Sequence, residues 1–298
     1  MGGIGAAAGQ VAGVLAPVFL LAAIGAVWAR RGIEFPSAFV ARLALSLATP
    51  ALLFATLARA EFPAEELGAL LGASAAAWGL AAAAIWAGLR LAGLDPRVWL
   101  VALVNGNTGN LGLPVALFAL GEAGLTAAMA VFAVQAVLTF TVGLWLVSGA
   151  ARWRELAGQP IFWGAAAGLA AGLAGWQPPA PAMRTLDLIG QLAIPLMLLS
   201  LGVSVARMRV RGAGRAAVLS LARLLPCGAA GWAAAAAFGL GPVAAQVLML
   251  QMLMPAAVTS LMLAERHGRD PAGVGALVAV SNLLSAGYLA VALPLVLR

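Results

Sequence analysis

Positions 105–114 read Asn-Gly-Asn-Thr-Gly-Asn-Leu-Gly-Leu-Pro and lie in the middle of an apolar run from about 98 to 120. Three asparagines, three glycines and a proline within ten residues do not belong in an ordinary lipid-facing helix. Inside a bilayer every backbone N–H and C=O needs a partner, so an interrupted helix survives only against protein or a water-filled cavity. Pro114 has no N–H and disfavours helical geometry in Leu113, while Gly106, Gly109 and Gly112 make non-helical backbone cheap. The stretch predicts two half-helices that meet near the membrane midplane at an interior site.

The membrane itself follows from composition. With 63% hydrophobic and 9% charged residues among 298, the chain has too little polar surface to cover a water-soluble globule. Runs long enough to span a bilayer recur at about 11–29, 37–57, 67–91, 98–120, 123–146, 160–176, 185–206, 216–240, 242–263 and 271–297. They predict an all-α polytopic membrane protein of about ten transmembrane helices with almost no soluble domain. No positive charge precedes the first run, so a cleaved signal peptide is not expected. Position 6 is Ala6 rather than Ser or Thr, which argues against myristoylation.

Every basic residue is arginine, and their distribution sets the orientation. Arg30, Arg31, Arg42, Arg90, Arg97, Arg152, Arg154, Arg207, Arg209, Arg211, Arg215, Arg266 and Arg269 flank the connections after runs one, three, five, seven and nine; the other side has Arg59, Arg184 and Arg298. Both termini are therefore expected outside the cytoplasm. The net charge of +7 is spread over short loops without interleaved aromatics, which fits an anionic inner leaflet and excludes nucleic acid as a partner. Cys227 is alone, so no internal disulfide or cysteine metal cluster can form.

The chain is also doubled. Pro50 in the second run and Pro195 in the seventh sit at similar depth, and Pro114 in the fourth run pairs with Pro255 in the ninth. The two separations agree within a few residues and predict two five-helix repeats, 1–150 and 151–298. An odd number of spans inverts the second copy, and paired interruptions in inverted repeats point to a binding site. Pro50 and Pro195 read as simple kinks. Gly164, Gly168 and Gly172 form a small-residue ridge for close helix packing.

Acidic residues fall in the connections except Asp187, which enters a span two turns before Pro195. An intramembrane carboxylate is a candidate for proton coupling; solvation or pairing with Arg184 is the alternative. Arg223 lies inside the eighth run within snorkelling reach of the surface. His267, the single histidine, sits among loop charges. With no histidine pair, no serine–histidine dyad and no lysine, no catalytic residue, metal or cofactor is expected.

The polar residues left at depth are uncharged: Asn105, Asn107, Thr108, Asn110, Gln135, Gln251, Ser281 and Asn282. If two half-helix N-termini converge, their free N–H groups could hold a carboxylate without a buried arginine. The alternative is that these amides only pair across helices or satisfy the freed backbone. Asn107, Thr108, Asn110, Gln135, Gln251, Ser281 and Asn282, with Pro114 and Pro255, are the candidate substrate-binding residues.

Asn107-Thr108, Gly112-Leu113-Pro114-Val115, the run Leu192-Ala193-Ile194-Pro195-Leu196 with Leu201-Gly202, and Met254-Pro255-Ala256 with the later Arg269-Asp270 carry a resemblance. The chain resembles a bacterial member of the auxin efflux carrier family, within the wider superfamily of bile acid, arsenite and riboflavin transporters. The resemblance implies ten helices in two inverted repeats, with spans four and nine crossing at Pro114 and Pro255. It implies a mobile transport domain of spans three to five and eight to ten, moving elevator-fashion against a scaffold of spans one, two, six and seven that mediates a homodimer. By analogy with the plant carriers, the spacing from Pro114 gives Asn107 the contact with the substrate carboxylate. Small dicarboxylates and auxin-like aromatic carboxylates are the substrates it implies. Gln251 and Met254 stand where the bile acid branch has an acidic residue, which argues against a sodium site of that type. The expected function is a secondary carrier of a small organic anion in the bacterial inner membrane; a sodium-coupled symporter or a non-transporting membrane sensor is the alternative.

Overall fold

The computed structural model describes residues 2–60, 63–149, 156–208 and 212–297, with backbone alone for 2–8 and 10. Glu61, Arg152, Arg154, Glu155, Arg209, Arg211 and Arg298, and with them most of the expected join between repeats, lie outside the described residues.

The described chain is helical, with no strand. The first half comprises α1 (Gly2–Arg30), α2 (Ser37–Leu43), α3 (Thr49–Ala58), α4 (Ala64–Leu91), α5 (Pro96–Val104), α6 (Leu113–Leu138) and α7 (Leu144–Ser148). The second comprises α8 (Pro160–Leu173), α9 (Ala180–Gln191), α10 (Ala193–Arg207), α11 (Ala213–Ala222), α12 (Leu224–Ala237), α13 (Pro242–Leu253), α14 (Val258–His267) and α15 (Pro271–Val296). Seven helical stretches are long and apolar enough to cross a membrane. The difference from ten runs has three sources. α5 and α13 stop short at interruptions, α8 has 14 residues, and α6 turns at Gly121, where φ is 66°.

Local chemistry accounts for the boundaries. Asp95 caps α5 by accepting the Arg97 N–H at 2.9 Å, and Pro96 occupies a first-turn position where no N–H is needed. Glu65 and Glu66 open α4 and Arg90 closes it, each complementing the helix dipole. Wide π-helical turns precede two prolines, at Ala44–Ala48 before Pro50 and at Thr108–Gly112 before Pro114. Each proline removes one ladder bond, and the widened turn absorbs it. At Pro195 and Pro226 the helix bends instead, at Leu192 and Arg223. The kinks expected at Pro50 and Pro195 are thus local deformations of otherwise continuous helices.

Packing sorts the helices into two groups. α1 packs on α10, and α3 packs on α8 and α9; α4, α6, α12 and α13 pack on one another, with α11 and α14 against α15. In the first group glycines bring the helix backbones into close contact. A Cβ at Gly25 would meet the Leu199 backbone, and one at Gly202 the Ala22 backbone. The ridge of Gly164, Gly168 and Gly172 lies against Pro50, Phe54 and Leu57 of α3. Lipid tails are as apolar as leucine, so close van der Waals packing, at these glycines and in the apolar side-chain clusters beside them, holds these helices together.

Candidate functional site

α5 ends at Val104, and Asn105 leaves the helix with φ −72° and ψ 108°; α13 ends at Leu253, and Met254 leaves it with φ −59° and ψ 146°. The two short extended links run antiparallel and form one bridge, Gly106 to Ala256. Asn107 N–H donates to Pro255 O at 2.6 Å, and Ala257 N–H donates to Asn105 O at 3.0 Å. Each interruption therefore supplies the partners that the other one freed, which is how broken backbone is tolerated at membrane depth. Both links are buried, and the space at Gly106 is tight: a Cβ there would press on Gln251 O at 3.0 Å and on Met254.

Polar side chains from the following spans hold both links. Gln135 of α6 donates Nε2 to Gly106 O at 2.6 Å and to Thr108 Oγ1 at 3.0 Å. Asn282 of α15 donates Nδ2 to Ala256 O at 3.0 Å and to Val278 O at 2.8 Å, and its Oδ1 accepts from Asn107 Nδ2 at 3.0 Å. Ser281 Oγ accepts the Ala256 N–H at 3.0 Å and donates to Val278 O. Asn107, Thr108, Gln135, Ser281 and Asn282 are thus one connected network around the paired links.

The remaining candidates stand differently. Gln251 is 1% exposed, neither its Oε1 nor its Nε2 has a partner, and its amide faces Gly112 where a Cβ would overlap it. Asn110 is half-buried and makes no side-chain hydrogen bond among the described residues. Pro255 lies within its link, whereas Pro114 lies in the first turn of α6, past the π-helical turn. The partner of the Pro255 link is therefore Asn105–Gly106–Asn107 rather than Pro114 itself. Asp187 makes a bidentate pair with Arg59, Nη1 to Oδ1 and Nη2 to Oδ2, both at 2.7 Å. Its partner is Arg59 rather than Arg184, and the pair joins α9 to the end of α3, among helices outside the amide network.

Arg223 is the principal correction. In place of snorkelling to the surface it is 2% exposed; Nε donates to Leu103 O at 2.6 Å and Nη1 to Met254 O. These carbonyls sit at the C-terminal ends of α5 and α13, where the dipoles carry about half a negative charge each. The guanidinium spans both negative ends, which offsets the expense of burying it. Its Nη2 has no partner. The expectation of a site without buried positive charge is thus overturned. The kink before Pro226 turns Arg223 inward, a consequence of packing that its position eight residues after Arg215 does not announce. Trp78 was likewise not singled out; its indole N–H reaches Asn105 Oδ1 at 2.9 Å, and a tryptophan amid alanines needing a hydrogen-bond partner was the available signal.

Beyond the links, the π-helical turn Thr108–Gly112 that leads into α6 and the first turn of α14 begin with N–H groups that have no acceptor inside the helix; the first bonded backbone donor after Asn107 is Leu111. Uncharged amides, helix N-termini and a guanidinium bonded to the ends of α5 and α13 suit a small polar or anionic ligand. Among the described residues no three of His, Cys, Asp and Glu come together to hold a metal.

Apolar helices around a buried polar junction of two broken spans define an integral membrane transport protein. The sequence profile of the family described as "Membrane transport protein" matches residues 145–293, half of the chain, and the protein belongs to this auxin efflux carrier family. A "Putative malonate transporter" from Rhizobium meliloti (strain 1021) is 30% identical over 113 residues, 34% of this chain and 35% of that protein. The chain thus spans about a third of the length of the curated relative it matches.

Proposed function

We propose that the protein is a secondary carrier of a small organic anion, with dicarboxylates of the malonate kind as the first substrates to test and auxin-like aromatic carboxylates as the second. The observation that carries this reading is the antiparallel junction at Gly106 and Ala256, lined by Asn107 and Asn282 and faced by two helix N-termini. One carboxylate would take the free N–H groups beside Thr108 and Val258, with Asn107 as its side-chain donor and Thr108, Asn110, Gln135, Gln251, Ser281 and Asn282 shaping the surroundings.

In this reading the ten apolar segments form two inverted repeats, 1–150 and 151–298, that cross at the two links. α1, α2, α3, α8, α9 and α10 are the scaffold, and the rest is a transport domain that moves elevator-fashion against it. The sorting of the helices by packing supports that division. The scaffold forms the homodimer, and both termini face away from the cytoplasm in a bacterial inner membrane. The sodium-coupled alternative has less support, because the Leu103 and Met254 carbonyls that would ligate a cation already receive a guanidinium.

The test is uptake of radiolabelled malonate, malate and indole-acetate into proteoliposomes. Saturable flux of at least one of them, lost in Asn107→Ala while the variant stays monodisperse, is the expected result. Wild-type flux in Asn107→Ala for every substrate removes Asn107 from the site, and binding without flux by the wild type replaces the carrier with a sensor.

A further inference from the structure

A second polar site lies at the arginine-rich edge of the helices, away from the paired links. A cavity of about 340 Å³ opens between the end of α4, the start of α5 and the end of α7, lined by Trp86, Arg90, Asp95, Arg97, Trp145 and Gly149 among others. Arg90 lies over the Trp86 ring at 5.8 Å, and among the described residues no carboxylate or carbonyl bonds the guanidinium of either Arg90 or Arg97. Neighbouring arginines are engaged: Arg215 stacks on Trp99 at 4.6 Å, and Arg269 Nε donates to Val147 O at 3.1 Å. Asp95 spends one oxygen on the Arg97 N–H, so its charge serves the α5 terminus, and among the described residues the cavity lining keeps an excess of one positive charge.

The rim is built for lipid. Trp86 and Trp145 are half-exposed, and Leu91, beside Arg90, is 91% exposed. Tryptophan rings favour the level of lipid headgroups, and basic pockets between membrane helices take anionic headgroups. We propose that this cavity binds the phosphodiester headgroup of an anionic phospholipid, with Arg90 and Arg97 on the phosphate and Trp86 and Trp145 against the glycerol and upper acyl chains. The site is independent of the carrier reading and of its substrate.

Native mass spectrometry of the full chain, exchanged from neutral detergent into bicelles of phosphatidylglycerol and phosphatidylcholine, tests it. The expected result is one phosphatidylglycerol retained per chain in preference to phosphatidylcholine. The Arg90→Gln/Arg97→Gln variant should retain it about thirtyfold more weakly, the effect of two basic residues at an anionic surface. The control variant Arg30→Gln/Arg31→Gln, on another basic connection, should retain it as the wild type does. Equal loss in both variants, or no loss in either, overturns the site. Inorganic phosphate that binds the wild type in neutral detergent with the same dependence on Arg90 and Arg97 overturns the lipid in favour of a free anion.

Discussion

Replacing Arg223 by Met tests whether the guanidinium clamps the two broken helices together. Methionine fills much of the same volume without charge, so the substitution removes the bonds to Leu103 O and Met254 O and little else. Hydrogen bonds to a charged group contribute about 1.5–3 kcal/mol each, which sets the gross loss at about 3–6 kcal/mol. Against this stands the relief of a buried charge whose Nη2 is unpartnered, about 1–3 kcal/mol. At mid-range the net destabilisation is about 2–3 kcal/mol, a fall in melting midpoint of roughly 3–5 °C for a chain of this size. Arg223→Lys should recover only part of it, because an ammonium is a point charge and lacks the fork that reaches two carbonyls. Thermal unfolding in detergent, read beside proteoliposome flux, is the assay. A Met variant that melts within about 1 °C of the wild type, or above it, refutes the clamp, since the two bonds would then fail to outweigh the burial of the charge.

Three further outcomes follow from these contacts. Gly112→Ala should drive the Gln251 amide from its place and destabilise by about 1–3 kcal/mol, with Gln251→Ala restoring part of the loss in a double-mutant cycle; simple additivity would show that the two do not meet. The Arg59–Asp187 pair, with side chains 42% and 33% exposed, should couple by no more than about 1 kcal/mol and fade at high salt. Flux through Asp187→Asn should keep the wild-type pH profile, and a shifted profile would reinstate Asp187 as a proton-coupling group.

The candidate network was largely legible because polar residues are scarce in lipid-soluble helices, so Asn107, Thr108, Gln135, Ser281 and Asn282 stand out against their runs. Their partners were not. Gln135 serves its own half's link at Gly106, while Asn282 reaches across 175 positions to Asn107. The place of the first interruption also shifted toward the N-terminus. Pro114 deletes a single ladder bond, which a π-helical turn absorbs, whereas leaving the helix at Asn105 requires a second link to take the freed groups.

The sequence by itself determined which segments dissolve in lipid and where a helix cannot continue unaided, because both depend on side-chain apolarity and on backbone bonds made within a turn. The tertiary structure alone decided which freed groups meet. It set the link at Gly106 against that at Ala256, turned Arg223 inward to the ends of α5 and α13, and brought Asp187 to Arg59 across 128 positions. Such pairings follow from helices approaching one another at close range, and no local pattern encodes which distant donor an exposed carbonyl will find.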